Sequence, residues 1–93
     1  MIRSFSCRET EKIARGELSR HLPQNLQSVM QRKLRMLNAA SNIRDLLIPP
    51  NNHLEILKGN RKGQHSIRVN RQWRVCFVWT PQGPTNVEIV DYH

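Results

Sequence analysis

Gln64-His65-Ser66-Ile67-Arg68-Val69-Asn70-Arg71-Gln72-Trp73-Arg74-Val75-Cys76-Phe77-Val78-Trp79 is the stretch that decides the fold. Ile67 and Val69 alternate with polar neighbours, and Trp73, Val75, Phe77 and Trp79 resume the same period after Asn70-Arg71-Gln72. Successive strand residues point to opposite faces, so a period of two marks strands with one buried side. With 70–72 as the loop, Val69 opposes Trp73 and Ile67 opposes Val75, which keeps the apolar face in register. Arg68 then falls opposite Arg74. Like charges directly across a strand pair are destabilising. Either both side chains splay into water, or an anion lies between or beside them, and arginine's planar fork grips phosphate better than lysine does. Cys76 reads as a small residue on the second strand.

The same period continues outward on both sides. Residues 54–57 read as a strand, 58–63 as a turn with Gly59 and Gly63, 81–84 as a turn, and 86–92 as the last strand. Before Pro49-Pro50 the period becomes helical. Ser6 with Glu9 has the S-x-x-E spacing of a capping box, which predicts a helix ending at Gly16. Pro23 suits a first helical position, and Leu22, Leu26, Val29, Met30, Leu34 and Leu37 predict a longer helix to about Ala40. Ser41 is placed to cap a further turn through Leu47, which the two prolines stop. With 1–5 as a short leading strand, the order reads β-α-α-β-β-β. That is one α+β domain over residues 1–93, an antiparallel sheet with two N-terminal helices packed on one face.

Charge narrows the class of partner. The 93 residues carry 15 Lys and Arg against 7 Asp and Glu, a formal charge of +8, with a pI near 10.8. Between Ile56 and Val87 stand Lys58, Arg61, Lys62, Arg68, Arg71 and Arg74 without one carboxylate. A polyanion is the natural partner of such a chain. No apolar run reaches the roughly 20 residues of a membrane span and no signal-peptide core follows Met1, so a cytoplasmic protein with no membrane partner is expected. Cys7 and Cys76 make neither a disulfide framework nor a zinc site.

Chemistry-bearing side chains gather at two places. Asp91-Tyr92-His93 follows directly on the alternating Val87 and Ile89, so a carboxylate, a phenol and an imidazole ride on a strand end. By strand alternation Asp91 and His93 share a face and Tyr92 lies opposite, which calls for a twist, a bulge or a site that wraps around the sheet edge. His53 follows Pro49-Pro50-Asn51-Asn52 at the edge of the same sheet, and an imidazole titrates near neutrality. His21, ahead of the long helix, and His65, in the Ile67-Val69 register, are discounted. His53, Asp91 and His93 have no local metal-ligand spacing, and neither metal nor cofactor is expected. No glycine-rich phosphate loop or nucleophile-elbow motif is present.

Taken together, Asn52-His53-Leu54-Glu55, Gly63 to Asn70, Gln72-Trp73-Arg74-Val75-Cys76-Phe77 and Val87 to His93 resemble the HigB toxins of bacterial toxin–antitoxin systems. These belong to the RelE/ParE superfamily and are often called plasmid-maintenance killer proteins. The resemblance implies a type II toxin that cleaves messenger RNA on the ribosome without a metal, inhibiting translation and growth. It implies His53, Asp91, Tyr92 and His93 as catalytic residues and Arg68 and Arg74 as phosphate and transition-state contacts. Its implied partners are a HigA-like helix-turn-helix antitoxin, the decoding site of the small ribosomal subunit with its messenger, and operator DNA only through the antitoxin complex. Arg32, Lys33, Arg35, Lys58, Arg61 and Lys62 are then expected to grip ribosomal RNA phosphates. Two other functions suit the scaffold: a ParE-like inhibitor of DNA gyrase without hydrolysis, and a non-catalytic RNA- or ribosome-binding module. Proton-transfer groups at the strand end favour the nuclease, because an inhibitor has no use for them.

Overall fold

In the computed structural model, which describes residues 1–92, the hairpin takes the register that its apolar face requires. β2 (His65–Arg68) and β3 (Trp73–Thr80) pair antiparallel, Ile67 opposite Val75 and Arg68 opposite Arg74. The Asn70 side chain accepts from the amides of Gln72 and Trp73, a turn closure suited to asparagine. β1 (Glu55–Ile56) and β4 (Gly83–Asp91) flank the pair, giving a four-stranded antiparallel sheet in the order β1-β2-β3-β4. β1 is shorter than the strand expected over 54–57, because Leu57 turns inward to 3% exposure and Gly59–Arg61 winds into a 3-10 turn. The expected turn at 81–84 tightens to Pro81-Gln82, with Thr80 already paired to Gly83.

The leading strand is reduced to a single parallel bridge, Phe5 with Val87. Between Cys76 and Val78 of β3, β4 carries an extra residue, and Asn86 there adopts φ 52, a left-handed conformation that asparagine tolerates. Side chains take over where this bulge interrupts the ladder. The Asn86 amide donates to Ser4 Oγ, and Ser6 Oγ donates to the Asn86 carbonyl. Farther along, Gly83 at φ 126 meets the N-terminal segment so closely that a Cβ would stand 2.3 Å from the Met1 carbonyl oxygen. Only glycine fits there.

The helices cover one sheet face, with corrected ends. α1 is Arg8–Ala14, and its N-cap is Cys7 without a side-chain cap bond. The expected Ser6–Glu9 box does not form because both partners serve tertiary contacts: Ser6 reaches Asn86, and Glu9 accepts from Ser19 Oγ at 2.6 Å. The Ser19 hydroxyl holds the Glu9 carboxyl below its ordinary range. Pro23 opens a 3-10 turn, Gln24–Leu26, and α2 proper is Gln27–Ala39. Asn42, not Ser41, caps the next turn, Ile43–Leu47, in a reciprocal box with Asp45. Pro50 starts a further 3-10 turn, Pro50–Asn52; its missing amide is no loss at a first position. Ile13, Met30, Leu34, Leu37 and Leu46 meet Ile67, Val75, Phe77, Val87 and Ile89 in one core, all at 6% exposure or less. Among the described residues no helix is long and apolar enough to cross a membrane.

Candidate functional site

The sheet face turned away from the core is built from polar rows. Strand pairing aligns Arg68, Arg74 and Val90 in one row and Ser66, Cys76 and Glu88 in the next. Arg74 is only 8% exposed, and burying a guanidinium requires that its donors be used. Nε donates to Ser66 Oγ at 2.6 Å, Nη2 donates to the carbonyl of His53, and Nη1 lies 3.7 Å from Glu55. The repulsion expected between Arg68 and Arg74 is therefore relieved by separate destinations. Arg74 turns toward β1 and the His53 loop, whereas Arg68 lines a pocket with Arg32 and Lys33 of α2.

His53 stands at the end of the Pro50–Asn52 turn with φ 44 and ψ 56. Left-handed backbone costs a non-glycine residue about 1–2 kcal/mol, and such strain persists only where neighbours over-determine it. Here they do so on both sides. Asn52, fully buried, donates to the Leu46 carbonyl at 3.1 Å and accepts from Lys33 Nζ at 2.6 Å. The His53 amide bonds to the Pro50 carbonyl, and its own carbonyl takes the Arg74 fork. The backbone of His53 is fixed while the residue itself stays exposed.

At the other end of the row, the last rungs of β4 are regular. Asp91 pairs opposite Trp73, beside Arg74, and the bulge lies earlier, at Asn86. The alternation expected from the sequence thus persists, with Asp91 on the Trp73 face of the sheet and Arg74 paired to Val90 on the other. Gln72 binds Asp91 and Tyr92: its Nε2 donates to Asp91 Oδ2 at 2.9 Å, and its carbonyl accepts from the Tyr92 amide at 2.6 Å. Tyr92 is 37% exposed, open enough to stack on a base. His93 lies outside the described residues. Sequence reasoning passed over Gln72, Ser66, Glu55 and Glu88. The register itself would have found Gln72, since the residue before Trp73 must lie beside Asp91 and Tyr92.

The expected ribosome-facing cations divide into two groups. Arg32, Arg35, Lys58 and Lys62 are exposed. Lys33 is not: at 4% exposure it points inward to Asn52, and burial with Arg32 alongside pushes its pKa down. Arg61 lies over the polar face, bound at 3.0 Å to both Glu88 and Gln64, and Glu88 strengthens its hold on the proton. Burial pushes the Cys76 thiol up, which keeps it neutral and unreactive. His65 stacks on Phe77 with ring centroids 6.1 Å apart. Among the described residues no three His, Cys, Asp or Glu side chains group as metal ligands.

What the arrangement offers is an exposed imidazole on a fixed backbone, an arginine that ties this backbone to the sheet, and a carboxylate and phenol tethered by one glutamine. A family model described as RelE-like toxin of type II toxin–antitoxin system HigB matches residues 10–93. Toxin HigB-1 of Vibrio cholerae serotype O1 is 48% identical over 60 residues, which cover 64% of this chain and 63% of that protein. A protein of Haemophilus influenzae described as uncharacterized is 45% identical over 62 residues, covering 67% and 61%. The chain spans about three-fifths of the length of these two relatives. Because the family match runs from within α1 through the whole sheet, the chain belongs to the HigB-like family of RelE-like toxins.

Proposed function

We propose that this chain is the toxin of a type II toxin–antitoxin system and cleaves messenger RNA on the ribosome, held in check by a HigA-like helix-turn-helix antitoxin. The observation that carries the reading is Arg74 tying the strained His53 backbone to the sheet, two residues along the chain from Gln72, which binds Asp91 and Tyr92. RNA cleavage without a metal needs a base for the 2′-hydroxyl proton, positive charge for the phosphate, and an acid for the departing 5′ oxygen. The 2′ oxygen attacks phosphorus, the bond to the 5′ oxygen breaks, and a cyclic phosphate and a 5′-hydroxyl result. His53, Asp91 and, by family resemblance, His93 cover the proton transfers, while Arg74 supplies charge at the reacting phosphate and Arg68, across the ladder from it, is a phosphate contact. Tyr92 stacks on a base or orients the 2′-hydroxyl. The exposed Arg32, Arg35, Lys58 and Lys62 suit ribosomal RNA phosphates, which would align a strand that so small a protein cannot align alone.

The test is induction of the chain in growing bacteria with mapping of messenger 5′ ends, with and without its neighbouring gene. New ends inside translated coding sequence, suppressed by the neighbour, are expected. Growth arrest with intact messengers would contradict the nuclease, and arrest with gyrase-linked DNA breaks would favour a gyrase inhibitor.

A further inference from the structure

Arg32, Lys33, Asn51, Arg68, Val69 and Asn70 line a cavity of about 330 Å³ between α2 and the tip of the β2–β3 hairpin. Three of the six are cations, two are asparagines, and none is a carboxylate. The volume is many times the roughly 30 Å³ share of one water and admits a phosphate with part of its sugar. Lys33 is the telling residue. An ammonium has three N–H donors, one of which is on Asn52 Oδ1. A buried lysine ordinarily keeps a carboxylate beside it; here the pocket supplies two arginines instead, and burial already disfavours the charged form. A bound anion would stabilise all three cations at once, with Arg68 offering a fork and the asparagine amides completing the donors.

We infer that this cavity is an anion site for a non-scissile phosphate of single-stranded RNA. The strand identity, though not the anion chemistry, rests on the proposed nuclease function. The cavity connects to the site described above by two short paths. Asn51 is two residues from His53, and Arg68 sits directly across the ladder from Arg74. A strand whose reacting phosphate lies at His53 and Arg74 therefore brings a neighbouring phosphate to the pocket mouth. Held at two points, it loses the freedom to slide, which is how binding energy away from the reacting atoms improves alignment.

The test uses the full chain and a fluorescent 2′-O-methyl RNA hexamer, which binds but cannot be cleaved. Arg32→Gln removes an exposed charge; Lys33→Gln retains a donor toward Asn52; Arg68→Gln removes the fork. Each substitution is expected to weaken hexamer binding about 10-fold and to lower the salt dependence by about one unit of slope, while Arg15→Gln, at the C-terminal cap of α1, does neither. Should Lys33→Gln fail to fold, the two arginine variants carry the test. Unchanged affinity in all foldable variants overturns the inference. So does tight, variant-sensitive binding of inorganic phosphate that does not compete with the hexamer, which would make the ligand a free anion, or an effect on binding of an acidic peptide alone. Cleavage of ordinary messenger on ribosomes, measured in parallel, separates the two readings. Absent cleavage with the hexamer contrast intact sinks the nuclease and leaves the pocket; cleavage with no hexamer contrast does the reverse.

Discussion

The two faces of the one sheet are built from opposite materials. Toward the helices, Ile67, Val75, Phe77, Val87 and Ile89 form a dry layer in which no side chain donates or accepts. Away from them, Ser66 and Arg74 are also buried but owe their places to hydrogen bonds and an ion pair reaching His53 and Glu55. The dry face sets stability, which is tolerant of where each atom lies to within packing. The polar face sets position, because a guanidinium bound at three edges fixes the groups it touches. Damage to the first should unfold the protein, and damage to the second should leave it folded and inactive.

Phe77→Ala is the strongest way to break this contrast from the dry side. Removing a fully buried ring costs about 3–5 kcal/mol, a large fraction of what a domain this small commands. A denaturant midpoint close to wild type would show that the core does not set stability. From the polar side, Arg74→Lys keeps a charge but loses the fork that joins Ser66 to His53. We expect the single-turnover cleavage rate to fall roughly 10- to 100-fold with ribosome affinity retained, the pattern of a contact used at the transition state; a pure affinity loss would move Arg74 to a docking role. Gln72→Ala, which removes the Nε2 donor to Asp91 and keeps the backbone bond to Tyr92, should cost about 10-fold in the same rate while moving the thermal midpoint little. An unchanged rate would remove Gln72 from the site.

The smallest effect concerns Lys33, which belongs to neither face. Burial lowers its folded pKa below the ordinary lysine value of about 10.5. As pH rises through that lowered value the native state releases a proton that the unfolded chain still holds. Stability relative to Lys33→Met therefore rises up to about pH 10.5 and is lost again as pH falls through the folded pKa. Thermal midpoints of the two proteins from pH 7 to 10 would show it; a difference that shrinks with rising pH contradicts the assignment.

Whatever depended on period was legible in the sequence. Ile67 against Val75 and Arg68 against Arg74 follow from alternation alone, and the Met30, Leu34, Leu37 stripe follows from helical spacing. Lys33 was legible too, although its basic neighbours suggested a surface: it falls three residues after Met30 and four before Leu37, on the buried stripe. What stayed hidden depended on chain return. No local pattern says that the His53 carbonyl meets Arg74, 21 residues on, or that Glu9 would turn to Ser19 and abandon a capping box. The left-handed backbone of His53 is hidden for the same reason, since its cost is met by Arg74, Asn52 and Lys33 from other elements. The resemblance to a toxin family named His53 and Asp91 as site residues, and the structure adds how their backbones are held.

If the polar face is catalytic and the dry face structural, His53→Ala should separate the two cleanly, because the imidazole is exposed and its removal leaves every backbone bond in place. Single-turnover cleavage of a defined messenger on purified translating ribosomes should fall by about 10²-fold or more, the range for a lost acid or base. The thermal midpoint should stay within about 2 °C of wild type, as for a surface substitution. Cleavage at the wild-type rate by the folded variant would show that His53 takes no part in the chemistry.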